Sequence, residues 1–99
     1  MPTKKPKDAM RLVGSDQNGK VVLEQTIPLY DYYEELHPVI DSDEFRKKLS
    51  LVKLVGTKFD ESGELEEEWE NCYSDTGAIV SGVVRDKHRK ITKEMRIRR

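Results

Sequence analysis

One turn motif occurs three times in this chain, and it limits the fold more than any other feature of the sequence. Each copy begins with Asp or Ser, has Gly three positions later and then continues to an apolar residue: Asp16-Gln17-Asn18-Gly19-Lys20-Val21, Asp60-Glu61-Ser62-Gly63-Glu64-Leu65 and Ser74-Asp75-Thr76-Gly77-Ala78-Ile79. An Asp or Ser side chain can accept hydrogen bonds from the turn backbone, and Gly tolerates the positive φ of a bulged hairpin connection. The motif therefore predicts an antiparallel sheet made of hairpins.

The segments on either side of these turns are typical of strands. Short β-prone runs at Met10 to Gly14 and Lys20 to Thr26 flank the first turn and predict an N-terminal hairpin. The second and third turns are in phase fourteen residues apart and indicate a meander. Its consecutive strands are expected at Leu51 to Phe59, Leu65 to Tyr73 and Ala78 to Arg85.

Two later segments also fit helical spacing. Leu65, Trp69 and Tyr73 share one face of a strand, but they also lie at i, i+4 and i+8 behind Ser62, which can cap a helix. The paired turns favour the strand for residues 64–73. The segment 91–97 is compatible with a fourth strand of the meander and with a helix.

A first short helix is expected directly after the N-terminal hairpin. Pro28 suits a first helical turn, and Leu29, Tyr33 and Leu36 follow at i, i+4 and i+7 as its apolar stripe. Pro38 disfavours helical geometry in the preceding residue, so the helix is expected to end there.

A second short helix and the fold class follow from the next segment. Asp41, with Glu44 three residues later, resembles a capping box, and Phe45 and Leu49 then lie at i and i+4. The predicted fold is a small α+β domain: an antiparallel β-meander or open barrel, with an N-terminal hairpin and one or two short helices packed on one face. We assign this single domain to residues 10–97, with a flexible basic arm at 1–9 and a basic C-terminal end at 98–99.

The charges of the chain are strongly segregated, although its net charge is only -1. Residues 59–84 contain eight carboxylates and neither Lys nor Arg, whereas residues 85–99 carry a net charge of +6. We refer to residues 60–75 as the acidic block and to residues 85–99 as the basic segment. Charged residues make up 37% of the chain and hydrophobic ones 35%, so the core is expected to be thin and function to lie on the surface.

The basic segment indicates a small non-catalytic binding module that contacts nucleic acid or a nucleoprotein assembly. Clustered cations attract a polyphosphate backbone, and the planar guanidinium of arginine can donate two bonds to one phosphate. The competing interpretation is that the basic segment lies beside the acidic block and is neutralised within the molecule. The candidate nucleic-acid contacts are Arg85, Lys87, Arg89, Lys90, Lys93, Arg96, Arg98 and Arg99.

The alternative function is an acidic-faced protein-interaction or inhibitor domain, which would bind a cationic protein surface through residues 60–75. Exposed tyrosines can anchor such an interface, and Tyr30 and Tyr32 lie outside the predicted apolar stripe of the first helix, whereas Tyr33 falls on it. The candidate protein contacts are Tyr30, Tyr32, Glu64, Glu66, Glu68 and Glu70. The sequence leaves the oligomeric state open.

Catalysis is not expected from this sequence. It lacks a Gly-rich phosphate loop, a Gly-x-Ser-x-Gly elbow and a His-Glu-x-x-His pair. Its histidines are His37 and His88, and the single cysteine, Cys72, rules out a disulfide within the chain. We therefore expect no enzyme activity, no cofactor and no metal. Because no apolar run is longer than three residues, we also expect no membrane segment and a cytoplasmic location.

Overall fold

The computed structural model describes residues 7–97 of the chain. They form an α+β domain dominated by one six-stranded antiparallel sheet, in the order β2-β1-β3-β4-β5-β6. The strands are β1 (Ala9–Ser15), β2 (Val21–Pro28), β3 (Lys53–Phe59), β4 (Leu65–Tyr73), β5 (Ile79–Asp86) and β6 (Ile91–Arg96). Within this part of the chain the sheet is open rather than a closed barrel, with β2 and β6 at its edges. Most of the predicted arm at 1–9 and all of the end at 98–99 fall outside the described residues.

The predicted hairpins and meander are confirmed, and the two ambiguous segments are strands. β4 pairs along its length with both β3 and β5, and β6 pairs with β5. Every hairpin has a one-residue shift in register beside its turn. This bulge is the geometry that a turn with a positive-φ residue before the second strand produces. For residues 64–73 the strand predicted from the turn motif, and not the helix predicted from periodicity, is therefore the one formed.

A fourth turn, between β5 and β6, has the same hydrogen bonds without the glycine. In the turns that begin at Asp16, Asp60 and Asp86, one carboxylate oxygen accepts bonds of 2.8–3.0 Å from the backbone N–H groups two and four residues later. The turns that begin at Asp16 and Asp60 have Gly at the fourth position, whereas the turn that begins at Asp86 has Arg89, with a φ of 64°. The carboxylate thus specifies the turn even where the glycine is missing.

The first helix is longer than predicted. A helical segment at 29–40, here called α1, runs from α-helical Leu29–Asp31 through π-helical Tyr32–Leu36 to α-helical His37–Ile40. The prediction that Pro38 ends the helix was wrong. The N–H of His37 donates to the carbonyl of Tyr32 and closes the π turn. Pro38 then lies in the first turn of the α-helical segment His37–Ile40, where its missing N–H has no helical partner to lose. The helix therefore continues past the proline.

The second helix, α2 (Asp43–Lys48), has a different cap from the one predicted. Ser42 is the N-cap, and its hydroxyl accepts a hydrogen bond from the N–H of Phe45 at 3.4 Å. Asp41 lies one residue too early for this role. Its carboxylate is instead 3.9 Å from the guanidinium of Arg46.

The core lies between the helices and one face of the sheet, and it contains a different tyrosine from the one predicted. Tyr32 is buried, with 3% of its surface exposed, whereas Tyr33 is 51% exposed. The buried stripe of α1 follows the spacing i, i+3, i+7 and i+11, and i+3 lies on the same side of a helix as the i+4 position that was predicted. The fully or largely buried cluster consists of Met10, Leu12, Tyr32, Ile40, Leu51, Leu54 and Tyr73.

A buried arginine fastens α2 to the sheet. Arg46 donates to the carbonyl of Gly77 at 2.7 Å, in the β4–β5 turn, and to the carbonyl of Ile40 at 3.0 Å. Its guanidinium also pairs with Asp43 and lies 4.6 Å from the ring centre of Tyr73. All of these partners offset the loss of hydration of a charge that is only 6% exposed. Arg46 therefore connects α2 to the β4–β5 turn and to the end of α1.

Candidate functional site

Part of the acidic block is paired with cations of the same chain. On the sheet surface opposite the helices, which we call the open face, Glu70 lies 2.9 Å from Lys53 and Glu68 lies 3.8 Å from Arg85. These cations come from the strands on either side of β4, because directly opposite and diagonal residues of adjacent strands share a face. Hydrogen bonding and the charge of Glu70 raise the pKa of Lys53, as expected for a close pair.

The remaining predicted glutamates lie near the β3–β4 turn. Glu66 occupies the bulge of β4 and lies 3.7 Å from Lys58. Glu64 is exposed, and its backbone N–H completes the turn by donating to Asp60 at 3.0 Å. Hydrogen bonds from the Ser62 hydroxyl and the turn backbone hold the pKa of Asp60 below its usual range. Three of the four predicted glutamates are therefore in ion pairs with the protein's own lysines and arginine.

The basic segment is neutralised only in part. Arg85 pairs with Glu68 on the open face, but all four residues of the turn at 87–90, which we call the basic tip, are exposed. Within the described residues, none of the tip cations Lys87, Arg89 and Lys90 forms an ion pair with a carboxylate. The adjacent Asp86 uses its carboxylate as an acceptor for the turn backbone, and these bonds, together with the nearby cations, lower its pKa.

The other candidate cations lie on the edge strand β6. Lys93 is on the face that carries the helices, where it borders a groove with Asn71 and Met95. Arg96 is on the open face, 3.4 Å from Glu94 of its own strand. The structure thus spreads the predicted cations over the basic tip and both faces of β6. Arg98 and Arg99 lie outside the described residues.

Only one of the two tyrosines predicted for protein contact is available at the surface. Tyr30 is 75% exposed at the start of α1, whereas Tyr32 is buried in the core. Burial is the main cause that raises the pKa of Tyr32 to about 12. The exposed tyrosines on this helix are Tyr30 and Tyr33, and the prediction of an exposed Tyr32 was wrong.

Sequence reasoning missed a cleft between α1 and the strands β4 and β5. Its volume is about 360 Å³, with Trp69 and Val84 on the sheet side and Tyr33 and His37 on the helix side. A β-carbon on Gly56 would overlap the indole of Trp69. The absence of a side chain at this one position of β3 therefore makes room for the ring. A glycine within a β-prone run was the signal that a bulky neighbour packs there.

The sheet separates Cys72 from His37. Cys72 lies on the open face between Lys53 and Ser81, while His37 lines the cleft on the helical side. The two side chains are therefore on opposite faces of the sheet. Across residues 7–97, no group of three His, Cys, Asp or Glu side chains could hold a metal ion.

The helices in the described part of the chain are all too short and polar to cross a membrane. Comparison with protein-family models, curated proteins and solved structures found no match. The candidate surfaces are therefore identified from the geometry of this chain alone.

Proposed function

We propose that this protein is a small binding module that contacts the phosphate backbone of a nucleic acid through the β5–β6 hairpin. The observation that carries the proposal is the difference between the two charged segments. Three glutamates of β4, Glu66, Glu68 and Glu70, are engaged by cations of the same chain. The cations of the basic tip have no carboxylate partner among residues 7–97.

The hairpin also has a suitable shape for this contact. The N–H groups of His88 and Lys90 are bound to Asp86, so the backbone of the tip is fixed while its side chains project into solvent. A fixed backbone reduces the conformational entropy lost on binding. Lys93 adds a cation three residues beyond the tip, on the exposed edge strand.

The expected mode of binding depends on charge rather than on base sequence. Lysine and arginine release condensed counterions when they neutralise phosphates, which makes affinity steeply dependent on salt. The basic segment contains no Phe, Tyr or Trp on which a base could stack. The β3–β4 turn, with its acidic residues Asp60, Glu61 and Glu64, lies at the same end of the sheet and confines the contact to the β5–β6 side.

Binding of a labelled duplex DNA of random sequence, followed by fluorescence anisotropy across a salt series, tests the proposal. The triple variant Lys87→Gln/Lys90→Gln/Lys93→Gln should bind roughly tenfold or more weakly and show a shallower salt dependence, because three phosphate contacts are lost. Truncation before Arg85 is a poorer test, since it would delete β6 together with the cations.

The matched control is Lys20→Gln/Lys47→Gln/Lys48→Gln. It removes the same number of exposed positive charges from the opposite end of the sheet, in the β1–β2 turn and α2. The control should bind as the parent does. Equal weakening by both triple variants would indicate a response to net charge alone, and undetectable binding of the parent at low salt would overturn the proposal.

The alternative, a protein-interaction or inhibitor domain acting through the acidic block, has weaker support. Glu66, Glu68 and Glu70 are each within 4 Å of a cation of the same chain, so a cationic partner would have to displace those contacts. A pulldown by an immobilised polylysine surface tests it. Retention that is lost in the variant Glu66→Gln/Glu68→Gln/Glu70→Gln would favour this alternative, and retention unchanged by it would count against it.

A further inference from the structure

The strand β6 is an open edge of the sheet that also exposes apolar side chains. In the described residues it pairs with β5 alone, and every one of its residues is exposed. Ile91 is 54% exposed, Met95 45% and the following Ile97 51%. An edge with unpaired backbone groups and apolar side chains is a template for another strand.

The backbone groups available on this edge can be identified from the pairing with β5. The N–H of Ile97 donates to the carbonyl of Val80 at 3.0 Å, in the same register that places Met95 opposite Gly82. Successive residues of an antiparallel strand direct their N–H and C=O groups to alternate sides. Because Ile97 and Met95 bond to β5, Glu94 and Arg96 present their N–H and C=O groups to the open edge.

We propose that two copies of this chain associate through antiparallel pairing of their β6 strands, with Met95 on the two-fold axis. Glu94 of each copy then lies directly opposite Arg96 of the other. The two residues form a hydrogen-bonded pair whose side chains share the open face, so their opposite charges meet twice across the axis. The two sheets become one continuous twelve-stranded sheet.

The charges of β6 select this register over its neighbours. When two β6 strands pair, directly opposite residues must share a face of the sheet. The two-fold axis therefore lies between one residue and the same residue of the other copy. An axis at Glu94 would bring two glutamates together, and one at Lys93 or Arg96 would bring two cations together, which is destabilising. Met95 is the one position from Lys93 to Arg96 at which an uncharged side chain meets itself and the flanking charges are complementary.

The other edge of the sheet is a less suitable partner. β2 ends at Pro28, which has no N–H to donate to a ladder. Pairing of β6 with β2 of another copy would also leave a free edge at each end, so it would continue to polymers rather than stop at a dimer.

Charge reversal tests the proposed register on the full chain. We expect the parent to show a concentration-dependent monomer–dimer equilibrium in sedimentation velocity. Glu94→Arg or Arg96→Glu alone should weaken the dimer roughly tenfold or more, because each puts like charges opposite one another twice. The double variant Glu94→Arg/Arg96→Glu should restore it. A parent that stays monomeric at millimolar concentration overturns the proposal, as does a dimer indifferent to these changes or a series of higher polymers.

Disulfide trapping gives an independent test of the axis. In a Cys72→Ser background, Met95→Cys should form an intermolecular disulfide readily, because Cα atoms in a non-hydrogen-bonded pair are about 4.5 Å apart. Lys93→Cys is the matched control, since two Lys93 positions would be separated by roughly 13 Å along the strands. Cross-linking of both variants to the same extent would show that the strands have no fixed register, and cross-linking of Lys93→Cys alone would exclude an axis at Met95.

Discussion

Arg89 holds the position in the β5–β6 turn that Gly19 holds in the β1–β2 turn, with φ angles of 64° and 79° respectively. The left-handed conformation is costly for a residue with a β-carbon but not for glycine. Arg89 is held there because Asp86 binds the backbone on either side of it. The basic tip is therefore fixed in a strained backbone conformation by one carboxylate.

The first prediction is that Arg89→Gly stabilises the protein. Glycine removes a left-handed cost of roughly 1–2 kcal/mol and adds roughly 0.5–1 kcal/mol of chain entropy lost on folding, so we expect a gain of about 0.5–1 kcal/mol. Urea unfolding measures it. Gly19→Ala is the reciprocal variant and should lose a similar amount, since nothing lies within 4 Å of its new β-carbon and only φ is perturbed. A higher free energy of unfolding in Gly19→Ala would contradict the inference that a residue with a β-carbon is strained at this position.

The second prediction concerns Arg46. Arg46→Met should destabilise the protein by roughly 2–4 kcal/mol, because the carbonyls of Gly77 and Ile40 lose a buried donor and Tyr73 loses its cation. Lys48→Met, on the exposed side of the same helix, should change the unfolding free energy by less than about 0.5 kcal/mol. Thermal and urea unfolding of the two variants compare them directly, and similar losses would mean that Arg46 is not the fastening point.

The third prediction tests the contact between Gly56 and Trp69. Gly56→Ala should cost roughly 1–3 kcal/mol, because the new methyl group overlaps the indole. In a Trp69→Leu background the same change should cost much less. A double-mutant cycle from urea unfolding gives the coupling between the two sites, expected to be about 1–2 kcal/mol. A coupling near zero would place the cost in the backbone of β3 and not in the ring.

The fourth prediction is a loss of stability at high pH due to Tyr32. Its pKa is raised to about 12, so the unfolded chain loses this proton at lower pH than the folded one. The contribution is present in full below about pH 10, the ordinary tyrosine value, and is lost as the pH rises towards 12. Tyr32→Phe should flatten this part of the stability curve and remove the tyrosinate absorbance step near pH 12. An unchanged absorbance titration in the variant would refute the assignment.

The fifth prediction is a loss of stability in acid due to the turn carboxylates. The pKa values of Asp60 and Asp86 are lowered in the folded state by hydrogen bonds from their own turns. Their contribution is therefore present above about pH 4 and is lost as the pH falls through the folded-state values. Asp86→Asn should lose less stability than the parent between about pH 5 and pH 2. If the free energy of unfolding fell equally with pH in the parent and in Asp86→Asn, the turn carboxylate would not be a source of the loss of stability in acid.

The strands could be predicted because their turns are local. The side chain of Asp60, the φ of Gly63 and the apolar residue that follows act within six positions, so the sequence pattern alone predicted three of the four turns. The fourth was missed because Arg89 replaces the glycine, although Asp86 supplies the same hydrogen bonds. Its backbone conformation depends on that carboxylate and not on local preference.

The helical segment and the cleft could not be predicted in the same way. Spacing alone did not distinguish Tyr32 from Tyr33, since positions i+3 and i+4 lie on the same side of a helix. The π turn before Pro38 and the contacts of Arg46 with a turn thirty-one residues away in sequence depend on tertiary packing. The pairing of Glu68 and Glu70 with cations on adjacent strands depends on register, which the bulges set.

The position of β6 at the edge of the sheet has a consequence for the order in which the protein opens. Only alternate backbone amides of β6 bond to β5, and its side chains are exposed. The amides of β6 should therefore exchange with deuterium well before those of β1 and β3. Loss of this strand alone would detach the basic tip from its support while the core stays folded. A polyanion that binds the tip would then slow exchange in β6 selectively, which makes recognition and local folding of this hairpin a single equilibrium.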